Sequence, residues 1–306
     1  MPNTSIPTSV PAKRRKWSTG RLLTWGALVL MLLITLLPIW MVVKTAVTDP
    51  QDLYTHSSDL LPVNPTLFNF QRVLGLLSPE QSATAPGGSD AQINFTGAFT
   101  NSVMFTLIII LAQTTSSAMA AYAFARLRFP GRKVFFGLFI SSMMIPSVVL
   151  FIPNFILIKD LGWMNTMAGM VAPFCLMSGF SVFFLRQFFL SIPRDLEEAA
   201  IIDGASHFYV FRRVVLPLSV TPIVTIATLI GINSWNEFFW PFLVAKEEGM
   251  QVLTVALNSF QSQTPQGQPD WSGLMAATAI TLLPTIILLV FLGRRVVESV
   301  QFSGGK

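Results

Sequence analysis

The chain has 306 residues, of which 52% are hydrophobic and only 11% charged. A soluble domain carries about 25% charged residues, so this composition, with a mean hydropathy of +0.60, excludes a fully hydrated surface and points to a chain that faces lipid. The net charge of +5 does not indicate nucleic acid, because the basic residues sit in short clusters between apolar runs; Cys175, His56 and His207 offer no intrachain disulfide and no metal-site spacing.

A bilayer helix needs about 20 mostly apolar residues. Six runs qualify, at 22–43, 99–125, 134–158, 167–190, 214–245 and 273–293, which predicts an all-α integral membrane protein with six transmembrane helices. Residues 1–21 form a basic N-terminal tail, and 22–43 is the first span. That run exceeds the roughly 7–15 residues of a signal-peptide core, so it reads as an uncleaved anchor. The segment 44–98 is a large outer loop. Within it, 64–77 is apolar-rich and opens with the start signal Asn64-Pro65-Thr66, predicting an amphipathic helix at the membrane surface or on a partner. A Ser/Gly/Pro/Ala stretch over 78–92 reads as a flexible linker. The five remaining spans form one core over 99–293, and 294–306 is a short tail.

Placing the N-terminus inside leaves only Lys44, Arg72, Lys159 and Lys246 outside, out of 20 Lys and Arg. Inner loops of membrane proteins hold an excess of Lys and Arg, so both termini are expected on the cytoplasmic side. Pro38, Pro146, Pro153, Pro173, Pro222, Pro241 and Pro284 each predict a kink, since proline lacks the N–H that a helix interior uses. Ala112, Ser116 and Ala120 form a four-spaced face open to close helix approach.

The inner loop 191–217 between the fourth and fifth spans carries the most specific pattern. Pro193 suits the first turn of a helix, and Asp195, Glu197 and Glu198 sit near its positive end. Ala199 and Ala200 leave a bare surface, Gly204 permits a sharp turn, and a second short helix runs toward Leu216-Pro217. The expected product is a compact knob of two short helices at an angle.

Glu198-Ala199-Ala200, then Gly204, then Val214-x-Leu216-Pro217 resembles the EAA loop of binding-protein-dependent ABC importer permeases. The only departure is Val214, where the family usually has Ile. The segments Ala120–Arg126 with Phe129–Arg132, and Ser234–Pro241, are similar to the carbohydrate branch of that family, in its maltose-permease-like subunits. The resemblance implies a type I ABC importer permease core in a bacterial inner membrane, working by alternating access. It implies that Glu197, Glu198, Ala199, Ala200, Asp203, Gly204 and Pro217 dock an ATPase subunit, and that the Gly-rich tail Ser303, Gly304, Gly305 reaches the ATPase dimer. It also implies a second permease subunit, a dimer of ATP-binding subunits and a periplasmic or lipid-anchored sugar-binding protein as partners. The outer loop 246–271 is the expected contact for that binding protein.

No G-x-x-x-x-G-K-[ST] phosphate loop is present, so this chain is expected to bind no cofactor and to be no enzyme, with ATP and Mg held by the partner. Glu237 lies within a span, where a carboxylate at the bilayer centre costs about 2.5–3.5 kcal/mol. With Asn233, Trp235 and Asn236 it offers groups that suit sugar hydroxyls and ring faces, making these four candidate lining residues of a substrate pathway; a helix-packing or gating role is the alternative. A secondary ion-coupled transporter would require paired ionisable residues within several spans, and Glu237 stands alone as a good mid-span carboxylate. An ABC permease for a non-sugar solute such as glycerol phosphate is the other alternative.

Overall fold

The computed structural model describes residues 19–56, 59–84, 93–258 and 270–301, and every regular element among them is helical. Helix α1 (Thr19–Val47) is followed by the short α2 (Phe68–Val73) and α3 (Pro79–Thr84) and then by α4 (Phe95–Arg126). At 32 residues, α4 is about 48 Å long at 1.5 Å per residue. It runs through the middle of the molecule and defines its two ends, called here the Phe95 end and the Arg126 end. Among the described residues three helices are long and apolar enough to cross a membrane by themselves, and the number rises to six if each of three bent pairs is one span.

The bent pairs show why three predicted spans are not single rods. Helices α5 (Arg132–Ser142) and α6 (Ser147–Asp160) meet at 98°. The turn Met143–Pro146 separates them, and Pro146, with ψ of 128°, cannot continue α5. Helix α7 (Met167–Val171), extended by a 3-10 turn containing Pro173, meets α8 (Gly179–Ser191) at 49°. After α9 (Asp195–Ile202) come α10 (His207–Val210), a π turn over Phe211–Val215 and α11 (Leu216–Leu218). That stretch joins α12 (Val220–Trp235) at 81°. Helices α13 (Phe239–Val244) and α14 (Leu253–Ala256) lead to α15 (Trp271–Gln301).

The expectation that all seven prolines kink helix interiors is corrected here. Only Pro38, Pro153 and Pro284 lie inside helices. Pro146 and Pro173 sit at breaks, while Pro222 and Pro241 occupy the first turns of α12 and α13. A first-turn N–H has no intrahelical acceptor, so proline there removes nothing.

Packing centres on α4, against α8 on one side and α12 on another, while α15 joins α12 to α1. The small-residue face that enters the core is Ser117, Ala118, Ala121 and Ala125, one step around the helix from the face predicted. Ser117 Oγ accepts from the backbone N–H of Ser178 at the entry to α8 at 3.4 Å. Along α1 the large apolar side chains from Leu22 to Val43, Val42 apart, are exposed, as expected for a helix that meets acyl chains over most of its circumference.

In the segment 44–98 the helical part is shorter than the predicted 64–77: α2 spans six residues and docks on α1 and α15 of its own chain. Asn69, fully buried, donates through Nδ2 to the carbonyls of Ala46 at 2.9 Å and Thr48 at 3.0 Å. Arg72, counted among the outer cations by sequence, is 6% exposed and forms a two-pronged ion pair with Asp270 at 2.7 and 2.9 Å. The start of the stretch expected to be a flexible linker is the helix α3; residues 85–92 of it lie outside the described residues.

Candidate functional site

The knob predicted over 191–217 is present at the Arg126 end, as two short helices on a turn. Helix α8 ends at Ser191, and Ile192, buried and extended, turns the chain into α9. Helix α9 closes on a Schellman turn. The N–H of Gly204 donates to the carbonyl of Ile201 at 2.9 Å, and that of Ala205 to Ala200 at 3.0 Å. Gly204 takes φ +86°, a left-handed conformation that costs an L side chain about 1–2 kcal/mol. Ser206 then caps α10 by accepting from the N–H of Tyr209 at 3.3 Å.

The knob is fixed from below by one buried ion pair and an apolar plug. Arg126, the last residue of α4, places Nε 2.6 Å from Oε1 of Glu197. Its Nη2 donates to the carbonyls of Phe189 and Ile192, each at 2.7 Å. One guanidinium thus ties α4 to the end of α8 and to α9 together, a geometry that its planar fork allows and an ammonium would not. Burial pushes the Glu197 carboxyl above the usual carboxylate range, while the Arg126 guanidinium pulls it back down. Val210, Phe211 and Val215 are buried beneath α10, with the Phe211 ring 5.1 Å from that of Tyr122 on α4.

The opposite face of the knob is open. Asp195, Glu198, Ala199, Asp203, Gly204 and Pro217 are exposed and Ala200 is half-buried. Leu196, Ile201, Ile202, Phe208 and Tyr209 stand exposed around them, with Ile202 at 85%. Glu197, which sequence position groups with the docking residues, turns inward and is 6% exposed. Because the strain at Gly204 is purely local, with nothing within 4 Å of an added Cβ, Gly204→Ala is expected to loosen the knob by about 1 kcal/mol. Gly204→Asn should cost less, since Asn tolerates this conformation. Protease protection of the 191–217 segment checks the order.

A second feature lies between α4, α8 and α12, a cavity of about 420 Å³, within the usual range of small-ligand sites. Gln113, Ser178, Ser181, Asn233, Ser234 and Glu237 supply its polar lining among aromatic rings such as Phe105 and Phe174. Of the four residues grouped by sequence as a pathway, Asn233 and Glu237 reach this cavity and the other two do not. Trp235 is buried in packing, its indole N–H donating to the carbonyl of Thr281 at 3.0 Å and its ring edge-on to Phe99 at 5.8 Å. Asn236 donates to its own helix at Ile232. Glu237 also accepts from the N–H of Trp240 at 3.1 Å, capping α13. Sequence reasoning missed Gln113, Ser178 and Ser181; a lone amide within the long apolar run of α4 was the available signal for the first.

At the Phe95 end, the start of the loop 246–271 is stapled down. Asn165 accepts from the N–H groups of Lys246 and Glu247 at 2.6 and 3.1 Å, and Asn101 donates to the carbonyls of Gly249 and Gln251. Residues 259–269 of that loop, and the tail residues Ser303, Gly304 and Gly305, lie outside the described residues. Among the described residues no cluster of metal-ligating side chains occurs.

Residues 113–301 match the family model described as the binding-protein-dependent transport system inner membrane component. The chain is 30% identical over 294 residues to the probable ABC transporter permease protein YurM of Bacillus subtilis, covering 96% of this chain and 91% of that one. It is 31% identical over 279 residues to the trehalose/maltose transport system permease protein MalG of Thermococcus litoralis, covering 90% and 93%. It is 29% identical over 291 residues to the sn-glycerol-3-phosphate transport system permease protein UgpE of Escherichia coli, covering 95% and 99%. Among solved structures, a chain of a bacterial ABC transporter involved in import of the acidic polysaccharide alginate superposes with a TM-score of 0.77 at 22% identity, over 93% of this chain and 99% of that one. With the family model matched over residues 113–301 and relatives matched along nearly the whole length, the chain belongs to the binding-protein-dependent transport system inner membrane components, the permeases of ABC transporters.

Proposed function

We propose that this chain is one of two permease subunits of a bacterial ATP-driven sugar importer in the cytoplasmic membrane, with both termini and the Arg126 end facing the cytoplasm. ATP binding and hydrolysis take place in a separate pair of subunits, and the α9–α10 knob is the part they grip. The observation that carries this reading is the knob itself: its inner face is locked to α4 and α8 by Arg126, while its outer face is exposed, with large apolar side chains around three carboxylates. A rigid lever with a free contact surface converts movement of a partner into rotation of the helices beneath it. The clustering of Lys and Arg at this end supports the orientation.

A neutral sugar as cargo is supported by relatives named for arabinooligosaccharide and trehalose/maltose transport. The cavity lining supports it also, since the only ionisable group there is the carboxylate of Glu237, beside amides, hydroxyls and aromatic faces. The likeness to UgpE favours a second reading, glycerol phosphate, but a phosphate dianion would meet that carboxylate with no Lys or Arg in the lining to offset it. A solved complex of the alginate transporter with its periplasmic protein supports a binding-protein partner, received at the Phe95 end.

Reconstitution in proteoliposomes with a partner permease, the ATP-binding subunits and a binding protein tests this reading. Uptake of a neutral oligosaccharide should require ATP on the knob side. Ion-gradient-driven uptake by this chain alone would reject it, and a preference for glycerol phosphate would move the assignment to the second reading.

A further inference from the structure

Beside the knob, at the junction of α4 and α5, lies a recess of about 580 Å³ lined by Arg126, Arg128, Arg132, Lys133 and Arg194 with Phe129, Gly131 and Val134. No acidic residue lines it. Glu197 pairs with Arg126 and also attracts Arg194, while Arg128, Arg132 and Lys133 form no ion pair among the described residues, so the recess keeps an excess of positive charge. Arg132 donates to the carbonyl of Leu127 at 2.9 Å, which fixes its head without neutralising it. Arg128 and Lys133 are exposed and form neither an ion pair nor a side-chain hydrogen bond among the described residues. Like charges around one concavity repel each other, and an anion in their midst would reverse the sign of that energy.

The backbone points the same way. Gly131, at φ +74°, turns the chain abruptly into the 11-residue α5, whose first turn has no acidic residue and no side-chain cap. Uncapped N–H groups at a helix start favour a phosphate group, and here they open beside these cations. Leading away from the recess, α5 exposes Val134 at 66%, Phe135 at 54% and Leu138 at 60%. A charged recess that continues into an exposed apolar helix matches an amphiphile, with its head in the recess and its tails along α5.

We propose that this recess is a binding site for the phosphate headgroup of an anionic membrane phospholipid, whose acyl chains lie along α5. Arg194 is at the start of α9 and Arg126 holds Glu197 on the same helix, so a bound headgroup braces the knob against the bilayer. The proposal does not depend on which solute is carried, and its test needs no transport activity.

The full chain, purified in a neutral detergent and stripped of lipid, is titrated with phosphatidylglycerol, with phosphatidylcholine of the same acyl chains, or with inorganic phosphate, and bound species are counted by native mass spectrometry. Phosphatidylglycerol should bind at least about tenfold tighter than phosphatidylcholine. Each basic side chain at an anionic lipid is worth about fivefold, so Arg128→Gln with Lys133→Gln should weaken phosphatidylglycerol by about twentyfold and leave phosphatidylcholine unchanged. Both side chains are exposed and unbonded, so the double variant should fold. Arg212→Gln with Arg213→Gln removes two other exposed cations of the knob and should leave the affinity within about twofold of wild type. Equal binding of the two lipids, or equal losses from the two double variants, would overturn the site. Displacement of phosphatidylglycerol by equimolar inorganic phosphate would overturn its assignment to lipid.

Discussion

Replacing Arg126 with Met should reduce ATP-driven uptake by about a hundredfold or more while leaving membrane insertion intact. The reason is that this one side chain satisfies three acceptors at once: the carboxylate of Glu197 and the carbonyls of Phe189 and Ile192. Removing one partner of a buried ion pair costs about 3–5 kcal/mol, and each 1.4 kcal/mol shifts an equilibrium tenfold. The knob would then populate poses in which α9 is no longer tied to the end of α8. Arg126→Lys should rescue little, because a single ammonium cannot fork across a carboxylate and two carbonyls. The double variant Arg126→Met with Glu197→Leu should recover part of the order, since apolar replacement of a whole buried pair is often neutral. Uptake in proteoliposomes, together with crosslinking from Glu198→Cys to an ATP-binding subunit, measures both links. Normal uptake by Arg126→Met would mean that the pair does not hold the lever.

The second large effect lies at the opposite end. Asp270→Asn should lower the thermal midpoint of the purified chain by on the order of 10 °C, from a loss of about 3–5 kcal/mol. Arg72 and Asp270 meet at 2.7 and 2.9 Å with side chains 1% and 4% exposed, and Asp270 also accepts from Ser272 and from the N–H of Gly273. Nothing else in that contact neutralises the guanidinium, so the amide would leave a buried charge. Gly273→Ala should act through the same pair: an added Cβ would lie 2.7 Å from Arg72 Nη2 and 2.6 Å from Asp270 Oδ2, forcing the two apart. Fluorescence-monitored melting in detergent checks both, and an unchanged midpoint for Asp270→Asn would show that the ion pair does not hold α2. Because α2 lies in the segment 44–98 and packs directly on α15, this pair ties that segment to the core.

Composition and spacing made much of this legible. Six apolar runs, their cation asymmetry and the Glu198–Gly204–Pro217 pattern all depend on local sequence, and a bilayer imposes lengths that can be counted. The Gly204 turn is a local matter too, since its left-handed φ follows from a Schellman closure spanning six residues. What could not be read were the pairings. Arg72 lies 198 residues from Asp270 and Arg126 lies 71 positions before Glu197 in the chain, so neither spacing carries a signal. Arg72 looked like an outer surface cation and Arg126 like one of many inner ones.

The same division separates what the chain dictates alone from what the assembled fold decides. Apolar run length, charge asymmetry and turn residues fixed an all-helical lipid-facing protein with an EAA-type loop, because solvent and backbone sterics act on each segment independently. Tertiary structure decided that α2 docks on α1 and α15, that Glu197 faces inward while Glu198 faces out, and that Asn233 and Glu237 share a cavity which Trp235 and Asn236 do not reach. Each of these turns on burying a polar group, whose cost is offset only by a partner that folding brings from elsewhere in the chain.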